Sequence, residues 1–227
     1  MSLKIKMVVF DMAGTTVNED NIVYKTVQKA INEAGFNVTL NEVLAEGAGK
    51  EKLQAIKSVL GTYANNTDAD LADNIYKNFS AQLTEAYQNA QLLPQPNATD
   101  LFSALKERGI LRVLNTGYSR PVAQSIINDL GWTEGREYDE LVTATDVNGS
   151  RPGPDMILFA TDKYNVNPSE VIKVGDSIID IEEGKNAGCA LSIGITTGAH
   201  TAQQLQSAEP DGIIDNLMEL LTVIDRY

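Results

Sequence analysis

Four short polar segments each follow an apolar, β-branched stretch of this 227-residue chain. The residues that could do chemistry are Asp11 after VVF, Thr116 after ILRVLN, Arg151 shortly after ELVTA, and Asp176 and Asp180 after VIKVG. An aspartate after a strand is commonly a helix cap and a Thr-Gly pair a turn, so each segment alone is weak. Together they predict one site, because the carboxyl ends of parallel strands meet at one edge of a sheet.

The residue types at these positions suit phosphoryl chemistry. A carboxylate can attack phosphorus only if its repulsion from the anionic phosphoryl group is relieved. We therefore expect Asp11 and Asp176 to hold Mg²⁺, a hard ion that prefers carboxylate oxygens. Thr116, the amide of Gly117 and Arg151 would bind the phosphoryl oxygens through hydroxyl, backbone and charge-assisted hydrogen bonds.

Asp180 lies one helical turn after Asp176 and would face the same way. It could bind a metal-bound water or orient Arg151. Two carboxylates at this spacing could instead mark a solvated helix start.

The elements that position these residues alternate along the chain. Strand-like segments are IKMVVF, ILRVL, VIKVG and ALSIGI, with ELVTA and DGIID weaker; helical patterns are Thr99–Arg108, a segment from Ser119, PDMILFATDKY, IIDIEEGKNAG and NLMELLTVI. This alternation predicts an α/β fold with a doubly wound parallel sheet, helices on both faces and right-handed connections.

The interval from Asn18 to Leu93 breaks the alternation. It has apolar residues at helical spacing and no convincing strand; examples are Tyr24, Val27 and Ile31, Leu53, Ile56 and Leu60, and Leu71, Ile75, Phe79 and Leu83. We expect residues 18–93 to form an inserted all-helical domain that could cover the site, and residues 1–17 and 94–227 to form the catalytic core. The segment LLPQPN would be the return linker.

Composition limits the class of protein. With 43% apolar and 22% charged residues the chain is typical of a soluble globular protein, and its net charge of -13 argues against a nucleic-acid surface. A phosphorylated substrate remains compatible, because distant charge is screened within ~8 Å. The single cysteine, Cys189, excludes an intrachain disulfide and is expected to pack in the interior. No segment is typical of a signal peptide or membrane span, so we expect a cytoplasmic protein with no membrane partner.

The segments DMAGTTV, NTGYSR, SRPGPDM and KVGDSIIDIEEGKNAG resemble the four motifs of the haloacid dehalogenase superfamily. The resemblance covers nearly the whole chain, with the helical insert similar to the small cap domain of that superfamily. It implies a Rossmann-like core, a Mg²⁺-dependent phosphohydrolase and an aspartyl-phosphate on Asp11. It also implies that Asp11, the Ala13 carbonyl and Asp176 bind the metal and that Thr15 contributes to substrate binding.

Ala13 is unusual for this superfamily, in which most phosphatases have a second aspartate there that protonates the leaving group. A general acid contributes roughly 10²–10⁴-fold, and a methyl group cannot replace it. The wording D-x-A-G-T-T resembles the phosphonoacetaldehyde hydrolase (phosphonatase) branch, which cleaves a carbon–phosphorus bond. There a cap lysine forms a Schiff base with the substrate aldehyde, which accepts the electrons of the broken bond.

Lys52, in EGAGKEKLQAI, matches that lysine. Lys50 and Lys52 would place two cations at a helix start, which favours the free amine. Gly47 and Gly49 would allow close approach of the loop to a ligand, with Gly49 among the substrate-binding residues. Alternatively, these lysines and Lys57 lie on a solvated helix face.

Tyr118 also matches the phosphonatase pattern and is expected to bind substrate. Two positions depart from it: Ala55 replaces a histidine and Ala48 a methionine. The one histidine, His200, is expected at the surface.

The favoured interpretation is a phosphonatase-like hydrolase that acts on a small carbonyl phosphonate. The alternative within the superfamily is a phosphomonoesterase acting on a small phosphorylated metabolite. A binding protein without turnover is disfavoured because Asp11, Thr116, Arg151 and Asp176 are all present. A dinucleotide-binding fold lacks its G-x-G-x-x-G turn, and a receiver domain would not need the insert. A homodimer through the first cap helix is possible by resemblance.

Overall fold

The computed structural model describes residues 4–88, 90 and 92–227. The strands are β1 (Met7–Asp11), β2 (Val17–Asn18), β3 (Leu93–Pro94), β4 (Leu111–Thr116), β5 (Glu140–Thr143), β6 (Val171–Gly175), β7 (Leu191–Ile195) and β8 (Gly212–Ile214). The helices are α1 (Ile22–Glu33), α2 (Leu40–Gly47), α3 (Lys52–Ala64), α4 (Ala69–Gln88), α5 (Ala98–Glu107), α6 (Arg120–Asp129), α7 (Asp155–Tyr164), α8 (Ile178–Ala187), α9 (Ala202–Gln206) and α10 (Glu219–Ile224).

Six strands form one parallel sheet in the order β5-β4-β1-β6-β7-β8. Every residue of β1, β5, β6 and β7 is buried, as expected when helices cover both faces of a sheet. Two apolar clusters lie on its two faces, one around Phe10 and Leu114 and the other around Val9 and Val113. The predicted doubly wound α/β fold is confirmed.

Helices α1 to α4, which lie in the sequence between β2 and β3, pack on one another; we call them the cap. Their inward residues include those at the predicted helical spacing, such as Val27, Ile56 and Phe79. Helix α2, for which the sequence showed no apolar repeat, begins at a capping box in which the side chain of Thr39 and that of Glu42 each accept a hydrogen bond from the other residue's backbone.

The expectation that the insert contains no strand is wrong at its two ends. Strands β2 and β3 pair antiparallel, with Val17 opposite Pro94 and Asn18 opposite Leu93. The two chain crossings between the core and the cap therefore run side by side, and their peptide groups bond to each other. A two-residue strand is too short to show any periodicity in the sequence.

No helix in the described part of the chain is both long and apolar enough to cross a bilayer.

Candidate active site

The predicted aspartates meet at the carboxyl end of the sheet. Asp11 is the last residue of β1, which lies between β4 and β6, and it pairs in register with Asn115. Asp176 follows β6 directly, and Asp180 lies in the first turn of α8. Carboxylate oxygens of the three aspartates lie within 4.8 Å of one another, and all three residues are buried.

Arg151 reaches this cluster from the loop before α7. Its Nη1 donates to Oδ1 of Asp11 at 2.7 Å and lies 3.2 Å from Oδ1 of Asp180. Its Nε lies 3.0 Å from Oε2 of Glu183, and its Nη2 donates to the carbonyl of Asn115 at 2.9 Å. The predicted phosphate-binding guanidinium is thus held beside the predicted nucleophile, and Asp180 contributes to orienting it.

Lys173, Glu183 and Asn115 were missed as site residues by the sequence reasoning. Nζ of Lys173 donates to Oδ1 of Asn115 at 2.7 Å and lies 3.0 Å from both Asp180 and Glu183. Lys173 and Glu183 are fully buried. A lysine in the middle of the apolar strand VIKVG was the available signal, since an unpaired buried lysine is costly.

The charges of this cluster do not balance without a cation. Four carboxylates face two cationic side chains, so the fully ionised cluster has a net charge of −2; the members are Asp11, Asp176, Asp180 and Glu183 with Arg151 and Lys173. One divalent cation would neutralise the cluster, which fits a Mg²⁺ site.

The pKa directions show where such a cation would bind. Burial and then Asp180 raise the pKa of Asp11 to about 6, and burial and Asp11 raise the pKa of Asp176 well above its ordinary value. For Asp180, burial is outweighed by Lys173 and Arg151, which hold its pKa below the ordinary value. Asp180 is therefore already compensated, whereas Asp11 and Asp176 have the negative charge that a metal would stabilise.

The surroundings of Asp176 leave room only for glycine on two sides. A Cβ on Gly14 would lie 2.3 Å from Oδ2 of Asp176, and one on Gly198 would lie 1.9 Å from it. The amide of Ala199 donates to the same oxygen at 2.6 Å, and the hydroxyl of Thr15 donates to Oδ1 at 3.4 Å. Thr15 thus contacts a predicted metal ligand.

The turn that contains Ala13 is held at several points. The amides of Thr15, Thr16 and Val17 donate to the Met12 carbonyl, and Ala13 forms a bridge with Val17. Ala13 therefore lies in a fixed turn two residues after Asp11, where its methyl group offers no acid.

The loop after β4 meets the cap. The side chain of Thr116 is buried, and its hydroxyl accepts from the amide of Tyr118 at 3.2 Å. A Cβ on Gly117 would lie 3.4 Å from the carbonyl of Lys50, so this loop touches the loop between α2 and α3. The core and the cap are in contact at the predicted substrate-binding residues.

Gly49 approaches the core closely. It has a φ of +75°, and a Cβ there would lie 2.4 Å from Oγ of Ser177 and 2.8 Å from Cβ of Ile179. Its amide donates to the hydroxyl of Tyr24 at 3.1 Å. Only glycine fits where the cap loop approaches Ser177 and Ile179 of the core this closely.

Lys52 is buried at the start of α3, with 7% of its surface exposed. Its Nζ donates to the carbonyl of Lys50 at 2.9 Å and lies 5.0 Å from the ring centroid of Tyr24 and 5.6 Å from that of Tyr118. The alternative of a solvated face is wrong for Lys52, although Lys57 does pair with Asp73 at the surface.

The pKa of Lys52 is lowered chiefly by burial, which outweighs the opposing charges of Asp11 and Glu19. The expectation that the neighbouring cation Lys50 lowers this pKa is wrong, because the side chain of Lys50 points away from Lys52. The Nζ of Lys50 donates to Ser58 at 3.1 Å and pairs with Glu46 at 3.8 Å.

Glu19 is a further buried carboxylate that the sequence did not reveal, with 4% of its surface exposed. It accepts hydrogen bonds from the hydroxyls of Tyr87 and Tyr118, the latter at 3.1 Å. Its neighbours in NEDN are all polar, so nothing in the sequence distinguishes Glu19 from a solvated glutamate.

A cavity of about 680 Å³ lies between α4 of the cap and α6 of the core. Lys52, Gly117 and Tyr118 lie on its wall, and Phe79 and Leu83 supply apolar lining. The cavity therefore gives the buried lysine a space in which an organic substrate could lie.

The expectation that His200 lies at the surface is wrong, since only 4% of it is exposed. Its Nδ1 accepts from the amide of Ile178 at 3.1 Å, and its Nε2 lies 3.3 Å from the carbonyl of Leu44 in the cap. Burial lowers its pKa, so the ring is neutral and Nε2 is the donor. The histidine bridges the core and the cap.

The two departures from the phosphonatase pattern are packed into the interior. Ala48 and Ala55 are buried, and a Cβ on Gly47 would lie 3.3 Å from that of Ala55.

Cys189 is half-buried rather than fully enclosed and packs against the apolar cluster around Val9.

Comparisons with known proteins agree with this geometry. The sequence profile of the family described as "Haloacid dehalogenase-like hydrolase" matches residues 8–195. The phosphonoacetaldehyde hydrolase of Parabacteroides distasonis is 30% identical over 213 residues, covering 87% of this chain and 78% of that protein. The phosphoglycolate phosphatase of Vibrio vulnificus (strain YJ016) is 24% identical over 231 residues, covering 97% and 96%. The structure of a phosphonoacetaldehyde hydrolase-like protein from Oleispira antarctica matches with a TM-score of 0.84 at 25% identity, covering 98% of this chain and 92% of that chain.

Proposed function

Because the chain belongs to the haloacid dehalogenase-like hydrolase family, we propose that this hydrolase cleaves the carbon–phosphorus bond of a small carbonyl phosphonate. The observation on which the proposal depends is the pairing of two residues. Ala13 offers no acid two positions after Asp11, while Lys52 is buried on the cavity wall with a lowered pKa. A leaving carbon needs an electron acceptor rather than a proton donor, and a lysine imine is one.

In this proposal Lys52 first condenses with the substrate carbonyl and releases water. A carboxylate oxygen of Asp11 then forms a bond to phosphorus as the carbon–phosphorus bond breaks. The bonding electrons pass into the protonated imine and give a neutral enamine. Water hydrolyses the aspartyl-phosphate, and protonation and hydrolysis of the enamine release the carbonyl product and Lys52.

The phosphoryl group would be bound by Arg151, the hydroxyl of Thr116 and the amide of Gly117. When bound, Mg²⁺ would be held by Asp11, Asp176 and, by family resemblance, the Ala13 carbonyl, and it would reduce the repulsion between nucleophile and phosphoryl group. Arg151 already contacts Asp11, so its guanidinium is also positioned to reduce the repulsion between the nucleophile and the phosphoryl group.

A second candidate is a phosphomonoesterase. The phosphoglycolate phosphatase of Vibrio vulnificus matches almost the full length of this chain, which favours this alternative. Such an enzyme would need a good leaving group or another acid, and it would not need a lysine nucleophile. Lys52 therefore discriminates between the two functions.

The test is a phosphate-release screen over carbonyl phosphonates and phosphate esters with Mg²⁺, comparing the wild type with Lys52→Arg. We expect the variant to lose turnover of phosphonoacetaldehyde by about 10²-fold or more while keeping that of p-nitrophenyl phosphate. Lys57→Arg, on the exposed face of the same helix, is the matched control. Borohydride added with the phosphonate should trap an adduct, and peptide mapping should place it on Lys52.

Equal losses on both substrate types would make Lys52 a structural residue and favour the phosphomonoesterase. The cytoplasmic location and a homodimer through α1 stay predictions, which cell fractionation and light scattering would test.

A further inference from the structure

Glu19 has no role in the mechanism above, although it is buried beside the residues that do. Five groups from five parts of the fold surround it or influence its charge: Tyr24 from α1, Lys52 from α3, Tyr87 from α4, Tyr118 after β4 and Asp11 from β1. A buried carboxylate costs free energy unless it is compensated, so its position calls for a physical reason.

Tyr118 contacts Glu19 through its hydroxyl and Lys52 through its ring. Its hydroxyl donates to Oε2 of Glu19 at 3.1 Å, and the centroid of its ring lies 5.6 Å from Nζ of Lys52. Tyr87 donates to the same carboxylate oxygen and lies 3.3 Å from the Tyr118 hydroxyl. Burial and the charge of Glu19 raise the pKa of both tyrosines well above the ordinary value, so their hydroxyls stay protonated and donate.

We propose that Glu19 and the hydroxyl of Tyr118 form the proton relay that serves imine formation at Lys52. This inference rests on the proposed function. Ala55 occupies the next helical turn of α3, and the Glu51 carboxylate caps the helix by accepting from the amides of Leu53 and Gln54, so neither residue supplies the proton acceptor.

The protons balance over the cycle. The ammonium of Lys52 passes one proton to Glu19 by way of a water molecule that bridges it to the Tyr118 hydroxyl, and the free amine adds to the carbonyl carbon. In the resulting adduct the nitrogen passes one of its two protons to the oxygen, which takes a second proton back from Glu19 and leaves as water. Glu19 ends as a carboxylate, and the product is the protonated imine of Lys52.

The environment lowers the cost of the first transfer. Burial raises the pKa of Glu19 and lowers that of Lys52, so the two values move toward each other. A relay needs this matching, because a proton must pass in both directions within one turnover.

The test uses Glu19→Gln, which keeps the shape and removes the proton acceptor. Two Mg²⁺-dependent reactions are compared: hydrolysis of phosphonoacetaldehyde, which needs the imine, and hydrolysis of p-nitrophenyl phosphate, which does not. We expect kcat on the phosphonate to fall by about 10²–10⁴-fold. Hydrolysis of p-nitrophenyl phosphate should be unchanged, and trapping of Lys52 by borohydride should slow in parallel with the loss of phosphonate turnover.

The pH profile supplies a readout that a structural role would not move. Glu19 accepts a proton only when ionised, so wild-type phosphonate turnover should fall as pH drops through its raised pKa. Because Asp11 must be ionised in both reactions, the signature of Glu19 is an acidic limb seen with the phosphonate and not with p-nitrophenyl phosphate, and Glu19→Gln should lose this difference between the two profiles. Tyr118→Phe keeps the ring over Lys52 and should slow both phosphonate turnover and borohydride trapping, whereas Glu33→Gln, an exposed glutamate on α1, should behave as wild type.

Unchanged phosphonate turnover in Glu19→Gln, or an equal fall on both substrates, would overturn the relay. A wild-type enzyme that neither cleaves the phosphonate nor forms a borohydride adduct would instead overturn the proposed function, and the relay with it. Phosphonate turnover and borohydride trapping by the wild-type enzyme therefore distinguish failure of the relay from failure of the proposed function.

Discussion

Replacing Lys173 by methionine should strongly destabilise the fold. Lys173 is fully buried, and its Nζ contacts Asn115, Asp180 and Glu183 at 2.7, 3.0 and 3.0 Å. Methionine fills a similar volume but leaves both carboxylates with Arg151 as their remaining cation. Removing one partner of a buried ion pair typically costs about 3–5 kcal/mol. Since a domain is stable by about 5–15 kcal/mol, this is a large part of the total.

The assay is urea unfolding followed by circular dichroism at pH 8 and at pH 5. The difference in the free energy of unfolding between wild type and Lys173→Met should be smaller at pH 5 than at pH 8. The reason is that Lys173 and Arg151 hold the pKa of Asp180 below its ordinary value, so loss of the Lys173 ammonium raises that pKa in the folded variant and a proton can replace the missing charge as pH falls.

Lys52→Met is the matched control, because Lys52 is also buried but its Nζ donates to a backbone carbonyl. It should cost much less than Lys173→Met, since methionine removes a buried charge without leaving a close carboxylate unpaired. The double variant Lys173→Met/Glu183→Gln should recover part of the loss. A deficit for Lys173→Met below about 1 kcal/mol, the same at both pH values, would refute the reasoning, because it would show that the cluster does not depend on this cation.

Three further outcomes follow from the described contacts. Gly198→Ala would place a Cβ 1.9 Å from Oδ2 of Asp176, so Mg²⁺ affinity measured by calorimetry and phosphatase activity should both fall; retention of both would contradict the assigned ligand. Burial raises the pKa of Cys189 to about 12, and the thiolate is the reactive form; alkylation at pH 8 should therefore be far slower in the native protein than in urea, and equal rates would show that the thiol is not protected. His200→Ala removes a contact to the carbonyl of Leu44 in the cap, so hydrogen exchange should increase in α2, and an unchanged exchange pattern would exclude a bridging role.

The positions of the main site residues could be predicted because each has a local signal. Asp11, Thr116 and Asp176 each end or follow an apolar strand segment, and the structure places them at the carboxyl edge of a parallel sheet. The alternation of strands and helices is enough to bring these residues to one edge, because right-handed connections leave the carboxyl ends of all the strands on the same side of the sheet. The fold class and the group of aspartates were therefore accessible without coordinates.

Other features depend on which distant segments pack together. Whether Lys52 is solvated or buried depends on Tyr24 and Tyr118, which lie far from it in sequence. The contact of Lys173 with Asn115, 58 residues away, and the burial of His200 between core and cap also depend on such contacts. The residue type alone does not show whether a charged side chain has a partner of opposite charge in the folded protein.

The sequence by itself determined the α/β alternation, the helical insert and the residues at the strand ends, because these follow from short-range periodicity and from strand direction. Only the tertiary structure decided which charges are compensated, that Lys52 is buried away from water and where Glu19 lies. Those properties depend on burial and on distances of a few ångströms between segments that lie as far apart in sequence as Asp11 and Arg151, 140 residues, and electrostatic energies change steeply over such distances.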